Sequence, residues 1–179
     1  MQLSPLQLLE YAFEAVSVAP DTGYANKDRN PSFVLPPSVL NIAAESGISL
    51  IAEKPEYSDY GLKLVLSVKP KELGGAPYSA TVAVQGAVRM HQTADTRDMR
   101  DREQRALVNG ISLLYGLVRD MVGNITSRAI HGQLLLPTLN FSDLANRKPD
   151  ESIPGSVAAL EPTKSKSRKS SVLKAKVKA

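Results

Sequence analysis

Between residues 8 and 18, Leu9, Tyr11, Phe13 and Ala15 alternate with Glu10 and Glu14, a period of two that predicts a half-buried strand with an acidic outer face. Residues 46–54 repeat the pattern, with Ile48, Leu50 and Ala52 on one face and Ser49, Ile51 and Glu53 on the other. The third run is the cleanest. Leu62, Leu64, Leu66 and Val68 alternate with Lys63, Val65, Ser67 and Lys69 until Pro70 ends it. After Gly74-Gly75-Ala76-Pro77 a longer strand is predicted over 78–90, with Tyr78, Ala80, Val82, Val84, Val88 and Met90 inward and Ser79, Thr81, Gln85 and Arg89 outward. Three strands in succession with short loops and alternating polarity predict an antiparallel meander with one covered face.

The period then changes. Over 96–128 the apolar positions Leu107, Ile111, Leu114, Val118, Val122 and Ile125 recur every three or four residues, a helical stripe that Leu113, Leu117 and Met121 widen. At its start Asp98 with Arg102 and Asp101 with Arg105 stand four apart in the favourable acid-first order, which predicts a solvated helix surface. Gly110, Gly116 and Gly123 each cost about 1 kcal/mol relative to Ala in a helix interior. They point either to close approach of another backbone, in the sheet or a second subunit, or to a bent helix that tolerates them.

The segment 19–41 joins the first two strands. Its Pro20, Pro31, Pro36 and Pro37 forbid a continuous helix or a central strand, and Phe33-Val34-Leu35 forms an apolar island within it. A connection of this length is a functional loop or a crossover packing over the domain. The fold class expected is α+β: a four-stranded antiparallel sheet with a long crossover and one long C-terminal helix.

Composition changes this picture at the end of the chain. Of 22 Lys and Arg, seven (Lys164, Lys166, Arg168, Lys169, Lys174, Lys176 and Lys178) fall in 163–179 beside no acid. The remaining 15 cations face all 18 acids, so the net charge of +4 divides into +7 for the tail and −3 for the rest. A basic, Ser-rich, aromatic-free tail does not bury enough apolar surface to offset its ordering entropy, and disorder is expected over 149–179, after a domain of 1–148. The tail offers nucleic acid only weak, salt-sensitive and sequence-blind binding, and the body has no aromatic stacking platform. No apolar run reaches 18 residues, and the first five residues lack a basic n-region, so the expectation is a cytoplasmic protein that does not insert in a membrane.

Catalytic chemistry finds little support. With no Cys there is no thiolate nucleophile or Cys-ligated metal. The two histidines, His91 and His131, stand outside any metal-ligand spacing, and no nucleophile elbow or phosphate-binding glycine loop occurs. His131 precedes Gly132 at the expected helix end, where a cation complements the dipole. The sequons Asn124-Ile125-Thr126 and Asn140-Phe141-Ser142 carry no weight without a signal peptide. Neither an enzyme nor a cofactor is expected.

One stretch is more specific. The helix runs out through Arg128-Ala129-Ile130-His131-Gly132 into Gln133-Leu134-Leu135-Leu136-Pro137-Thr138-Leu139-Asn140-Phe141-Ser142-Asp143-Leu144. A long helix, a glycine break, an extended leucine-rich stretch with Pro, then Asn-Phe and a closing Leu resembles the SecB family of protein-export chaperones. The element order agrees, and the likeness covers about residues 8–145. What the resemblance implies is an ATP-independent holdase, assembled as dimers that join into a tetramer, whose partners are unfolded or precursor polypeptides. By position it assigns Phe33, Val34 and Leu35 of the crossover, and Leu134, Leu135, Leu136, Leu139 and Phe141 after the helix, to a client groove or its floor. Leu139 and Phe141 also suit a core plug. Members dock the translocase ATPase on an acidic sheet face, part of which the resemblance assigns here to Glu10, Glu14 and Glu53.

The chain departs from the family at three places. Gly74-Gly75-Ala76-Pro77-Tyr78-Ser79 carries no acid at the approach to the last strand. Pro149 and Pro154 leave barely two turns for a second helix, and the Lys-rich tail replaces the usual end. These departures bear on export and ATPase docking more than on the fold. A chaperone dedicated to one partner, such as the antitoxin of a toxin–antitoxin module, and a non-catalytic assembly subunit remain open alternatives.

Overall fold

The strict alternation in the middle of the chain places its two richest strands at the centre of the sheet. In the computed structural model, which describes residues 3–24, 33–34, 37–92 and 98–146, the strands are β1 (Leu6–Pro20), β2 (Phe33–Val34), β3 (Leu40–Glu53), β4 (Tyr57–Pro70), β5 (Tyr78–His91) and β6 (Leu134–Leu135), with one helix, α1 (Met99–Thr126), before β6. The large sheet has four antiparallel strands in the order β1-β5-β4-β3, while β2 and β6 form a separate parallel pair. The expected α+β architecture is therefore present. The connection after β1 carries the chain from one edge of the sheet to the other. The tail and the domain boundary read at residue 148 lie outside the described residues.

Residues opposite each other in an antiparallel pair share a face, so the register assigns every side chain to the helix side or the outer side. On β4, Ser58, Tyr60, Leu62, Leu64, Leu66 and Val68 point to the helix and are buried; on β5 the six predicted inward residues are all buried too. From α1 they receive Ala106, Ile111, Leu114, Tyr115, Val118 and Val122. Gly110 brings the helix down onto β4, since a Cβ there would stand 2.1 Å from Leu62 Cδ1. Gly123 faces Gln133, Leu134 and Leu135, and a Cβ on Gly116 would meet nothing within 4 Å. Within the chain, the sheet and the post-helix segment thus take up two of the three glycines.

The edge strands depart from simple alternation. In β1 the register slips between Leu8 and Glu10 and again between Phe13 and Ala15; each slip is a bulge with one extra residue. Tyr11 and Phe13 face the helix as predicted, but Leu9 stands in the first bulge and Ala15 turns to the outer face. Their partners on β5 fix this placement. Glu14 occupies the second bulge and reaches Lys63 at 2.7 Å. In β3 Ile48 and Leu50 lie on the helix side opposite Leu62 and Tyr60, but a bulge at Ile51 sends Ala52 outward opposite Asp59, so Ala52 does not share their face.

Two polar expectations also change. Arg102 is not on a solvated surface: it is 6% exposed, and its Nη2 meets Glu53 Oε1 at 3.4 Å. Asp98 instead caps the helix, accepting from Arg100 N at 3.2 Å. His131 is not at the helix terminus, because α1 ends at Thr126. Its backbone N donates to Tyr78 Oη at 2.9 Å, its Nε2 donates to Asp21 O at 3.0 Å, and its ring stands edge-on between Tyr24 and Tyr78. The Asp21 carboxylate accepts from Gly23 N at 2.8 Å and from Gly74 N at 3.0 Å. A corner is thereby tied from the end of β1, the β4–β5 turn and the turn after the helix.

Candidate functional site

The candidate site begins where α1 stops. Thr126 Oγ1 donates to Val122 O at 2.7 Å and accepts from Leu134 N at 2.8 Å, so one buried hydroxyl closes the last helical turn and captures the returning chain. Gly132, at φ 81°, supplies the left-handed residue that lets the chain double back. The extended stretch then pairs in parallel with the crossover, Phe33 opposite Leu134 and Val34 opposite Leu135.

Extended backbone turns successive side chains to opposite sides. Leu134 and Leu136 point inward and are fully buried, while Leu135 between them is only half-buried. Beside Leu135 runs a cleft of about 370 Å³ bounded by Arg119, Asp120, Gly123, Asn124 and Gln133. Gly123 gives the cleft depth: a Cβ there would lie 3.3 Å from Gln133 Nε2 and 3.8 Å from Leu135 Cδ2. Farther on, the Tyr115 hydroxyl donates to Pro137 O, and its ring lies edge-on to Phe141 with centroids 5.5 Å apart. Burial pushes the Tyr115 phenol up to about 12, so it remains a donor at any ordinary pH. Asn140 Oδ1 accepts from Ser142 N at 3.0 Å and Ser142 Oγ at 2.7 Å, opening the 3-10 turn Ser142–Asn146.

The residues assigned to the groove thus divide. Leu134, Leu136 and Phe141 are buried among core residues, where they support the segment from below. Leu135 and Leu139 retain accessible surface, although Leu139 also packs against the core. The backbones of Phe33 and Val34 pair with β6; their side chains, and all of Leu35, lie outside the described residues. Sequence reasoning missed the polar walls of the cleft. Arg119, Asp120, Gly123 and Asn124 are spaced by one, three and one on the flank of the apolar stripe, a helical signal that charge pattern alone does not distinguish from an ordinary wet surface.

The three acids assigned to docking are not brought to one face. Glu10 borders a depression of about 580 Å³ on the outer face, floored by Gly61 and Ala87 and flanked by Lys63 and Gln85. Glu14 reaches that face from its bulge to pair with Lys63. Glu53 is opposite Ser58 on the helix side, paired with Arg102, because the Ile51 bulge shifts it. At one end of the outer face, Arg89 binds Asp59 through two hydrogen bonds of 2.8 and 2.9 Å and lies over the Tyr57 ring at 3.9 Å. These bonds hold the Asp59 carboxyl below its usual range. Among the described residues no group of three or more His, Asp or Glu is placed to hold a metal, and no helix is long and apolar enough to cross a membrane.

No family model matches the chain, and no curated protein matches it significantly. Solved structures resemble it in three dimensions. The SecB-like chaperone Rv1957 of Mycobacterium tuberculosis, in complex with a ChAD peptide from the HigA1 antitoxin, is 16% identical, with a TM-score of 0.47 over 75% of this chain and 90% of that one. A protein of unknown function from Streptococcus agalactiae is 8% identical, with a TM-score of 0.48 over 74% of this chain and 96% of that one.

Proposed function

We propose that this chain is an ATP-independent holdase that takes up nonnative polypeptide along the cleft beside the post-helix leucines. The observation that carries this reading is the division of labour in the leucine triplet. Leu134 and Leu136 fix the segment from within, and the pairing with β2 holds it extended, while Leu135 keeps apolar surface open to a cleft. The SecB-like order of elements in the sequence supports it. A client stretch there gains apolar contact from Leu135 and hydrogen bonds from the polar walls, a combination that tolerates many sequences.

A single cleft of this size binds weakly, because the client gives up chain entropy. Strength comes from several clefts on one homo-oligomer, dimer or tetramer, engaging one client at high effective concentration. Unfolded or precursor polypeptides are the partners in this reading, and no cofactor or chemical step is involved. Docking of a translocase ATPase would have to rely on Glu10 rather than on the three acids together, since Glu14 and Glu53 are engaged by Lys63 and Arg102.

Full-length protein should suppress aggregation of a chemically unfolded client without nucleotide, with little change on raising salt moderately. Leu135→Asp should lower suppression several-fold while lowering the melting temperature by no more than about 5–10 °C, so that the chain stays folded under the assay. Failure of the full-length chain to suppress aggregation of either a general client or an unstable antitoxin overturns the reading, as does full activity in Leu135→Asp.

A further inference from the structure

Among the described residues, the buried side-chain polar atoms without a hydrogen-bond partner are Ser58 Oγ, Tyr60 Oη, Arg102 Nε and Arg102 Nη1. They come together at the N-terminal end of α1. Ser58 and Tyr60 are two residues apart on the helix face of β4, hence about 7 Å along the strand. Glu53 stands opposite Ser58 in the register, and Arg102 is held to Glu53, so the guanidinium lies over this end of β4. Buried hydroxyls and amines are almost always paired, and an orphan costs the desolvation of the group.

What Arg102 Nε and Nη1 lack is an acceptor within reach, since the Ser58 and Tyr60 hydroxyls carry lone pairs but do not meet them. Arg102 is donor-only. Its contact with Glu53 is long, and the Glu53 side chain is 44% exposed, so the carboxylate offsets the buried charge poorly. Tyr60 adds a second donor: burial pushes its phenol above the usual range, against the Arg102 charge and the Ser58 hydroxyl, which lies close by without meeting hydrogen-bond geometry, while the Glu103 and Glu53 carboxylates add to the rise, so the O–H is retained. Ser58 adds a third. A bridging water could donate to the two hydroxyls and accept from Arg102, but it brings no charge against the guanidinium. A small anion would accept from all three side chains and neutralise it. The four atoms are closed from solvent, which rules out a bulky carboxylate or phosphate ester.

We propose that Ser58, Tyr60 and Arg102 form a buried site for a monovalent anion of chloride's size, which pins the start of α1 to the β3–β4 end of the sheet. The test compares thermal unfolding of the full-length chain in sodium chloride and in sodium gluconate at equal ionic strength, with chloride-35 line broadening as the direct probe. The melting temperature should climb with the logarithm of chloride, on the order of 3–6 °C per tenfold above the dissociation constant. It should not climb in gluconate, and the chloride line should broaden. Arg102→Met should abolish both effects and be as stable as the parent in gluconate. Tyr60→Phe, which keeps the packing, should require roughly tenfold more chloride for the same gain; it decides the matter if Arg102→Met does not fold. Equal melting in the two salts with an unbroadened chloride line overturns the proposal.

Discussion

The two ends of α1 handle buried polarity in opposite ways. At the C-terminal end each buried polar group has a partner inside the chain: Thr126 joins Val122 to Leu134, and Tyr115 donates to Pro137. At the N-terminal end Ser58, Tyr60 and two nitrogens of Arg102 have none. The groups named at both ends are nearly as closed from solvent as the core between them. A closed network fixes one geometry, and here it holds the leucine segment that the proposed function requires. An unfinished set of donors stays costly until a second species supplies the acceptors, so the stability of that end depends on solution composition.

The sharpest way to break this contrast is to remove what the satisfied end supports. Leu136→Ala, at a fully buried position, should lower unfolding free energy by about 2–5 kcal/mol in urea titrations, whereas Leu135→Ala should cost about 1 kcal/mol or less. Thr126→Val keeps the shape and strands Leu134 N–H; a loss of about 1–3 kcal/mol is expected by the same measurement. Tyr115→Phe should cost about 1 kcal/mol near neutrality.

Tyr115 also has a pH signature. Its folded-state pKa of about 12 exceeds the ordinary value of 10.0, so the stability linked to its protonated form is complete below about pH 10 and is lost as pH rises through 12. Alkaline melting curves of Tyr115→Phe should lack that portion of the decline. The smallest expected effect lies at the other end. Ser58→Ala in gluconate removes a hydroxyl with no partner and should change stability by no more than about 0.5 kcal/mol, or raise it. A loss there as large as that of Thr126→Val would erase the difference between the ends.

The middle of the sheet was legible because β4 and β5 pair without a register shift, and the six apolar positions read as inward between Tyr78 and Met90 are all buried, the alternation of exposure pausing only at Gly86 and Ala87. The edges were not. A bulge leaves no mark on a list of apolar and polar letters, yet it reverses every facing beyond it, which is why Ala15, Ala52 and Glu53 stand on faces the simple period does not give. Arg102 was misread for a related reason. Acid–base pairs four apart look the same on a wet helix surface and on a turn pressed against a strand, and only the partner element distinguishes them. At the candidate site the leucine triplet was visible in sequence, but the cleft beside Leu135 arises from Gly123 and its polar neighbours, which belong to no apolar pattern.

Asp21 joins stretches of chain that are far apart in sequence: its carboxylate holds Gly74, 53 residues on, and its carbonyl takes His131, 110 residues on. During synthesis the first of these contacts is available as soon as the hairpin of β4 and β5 has emerged, but the second must wait for almost the whole domain. Closing so large a loop is slow relative to the hairpins. The clasp is therefore a late event on the ribosome, and until it shuts, the leucine segment of a nascent copy is itself an unprotected sticky chain in need of the shelter its finished form is proposed to give.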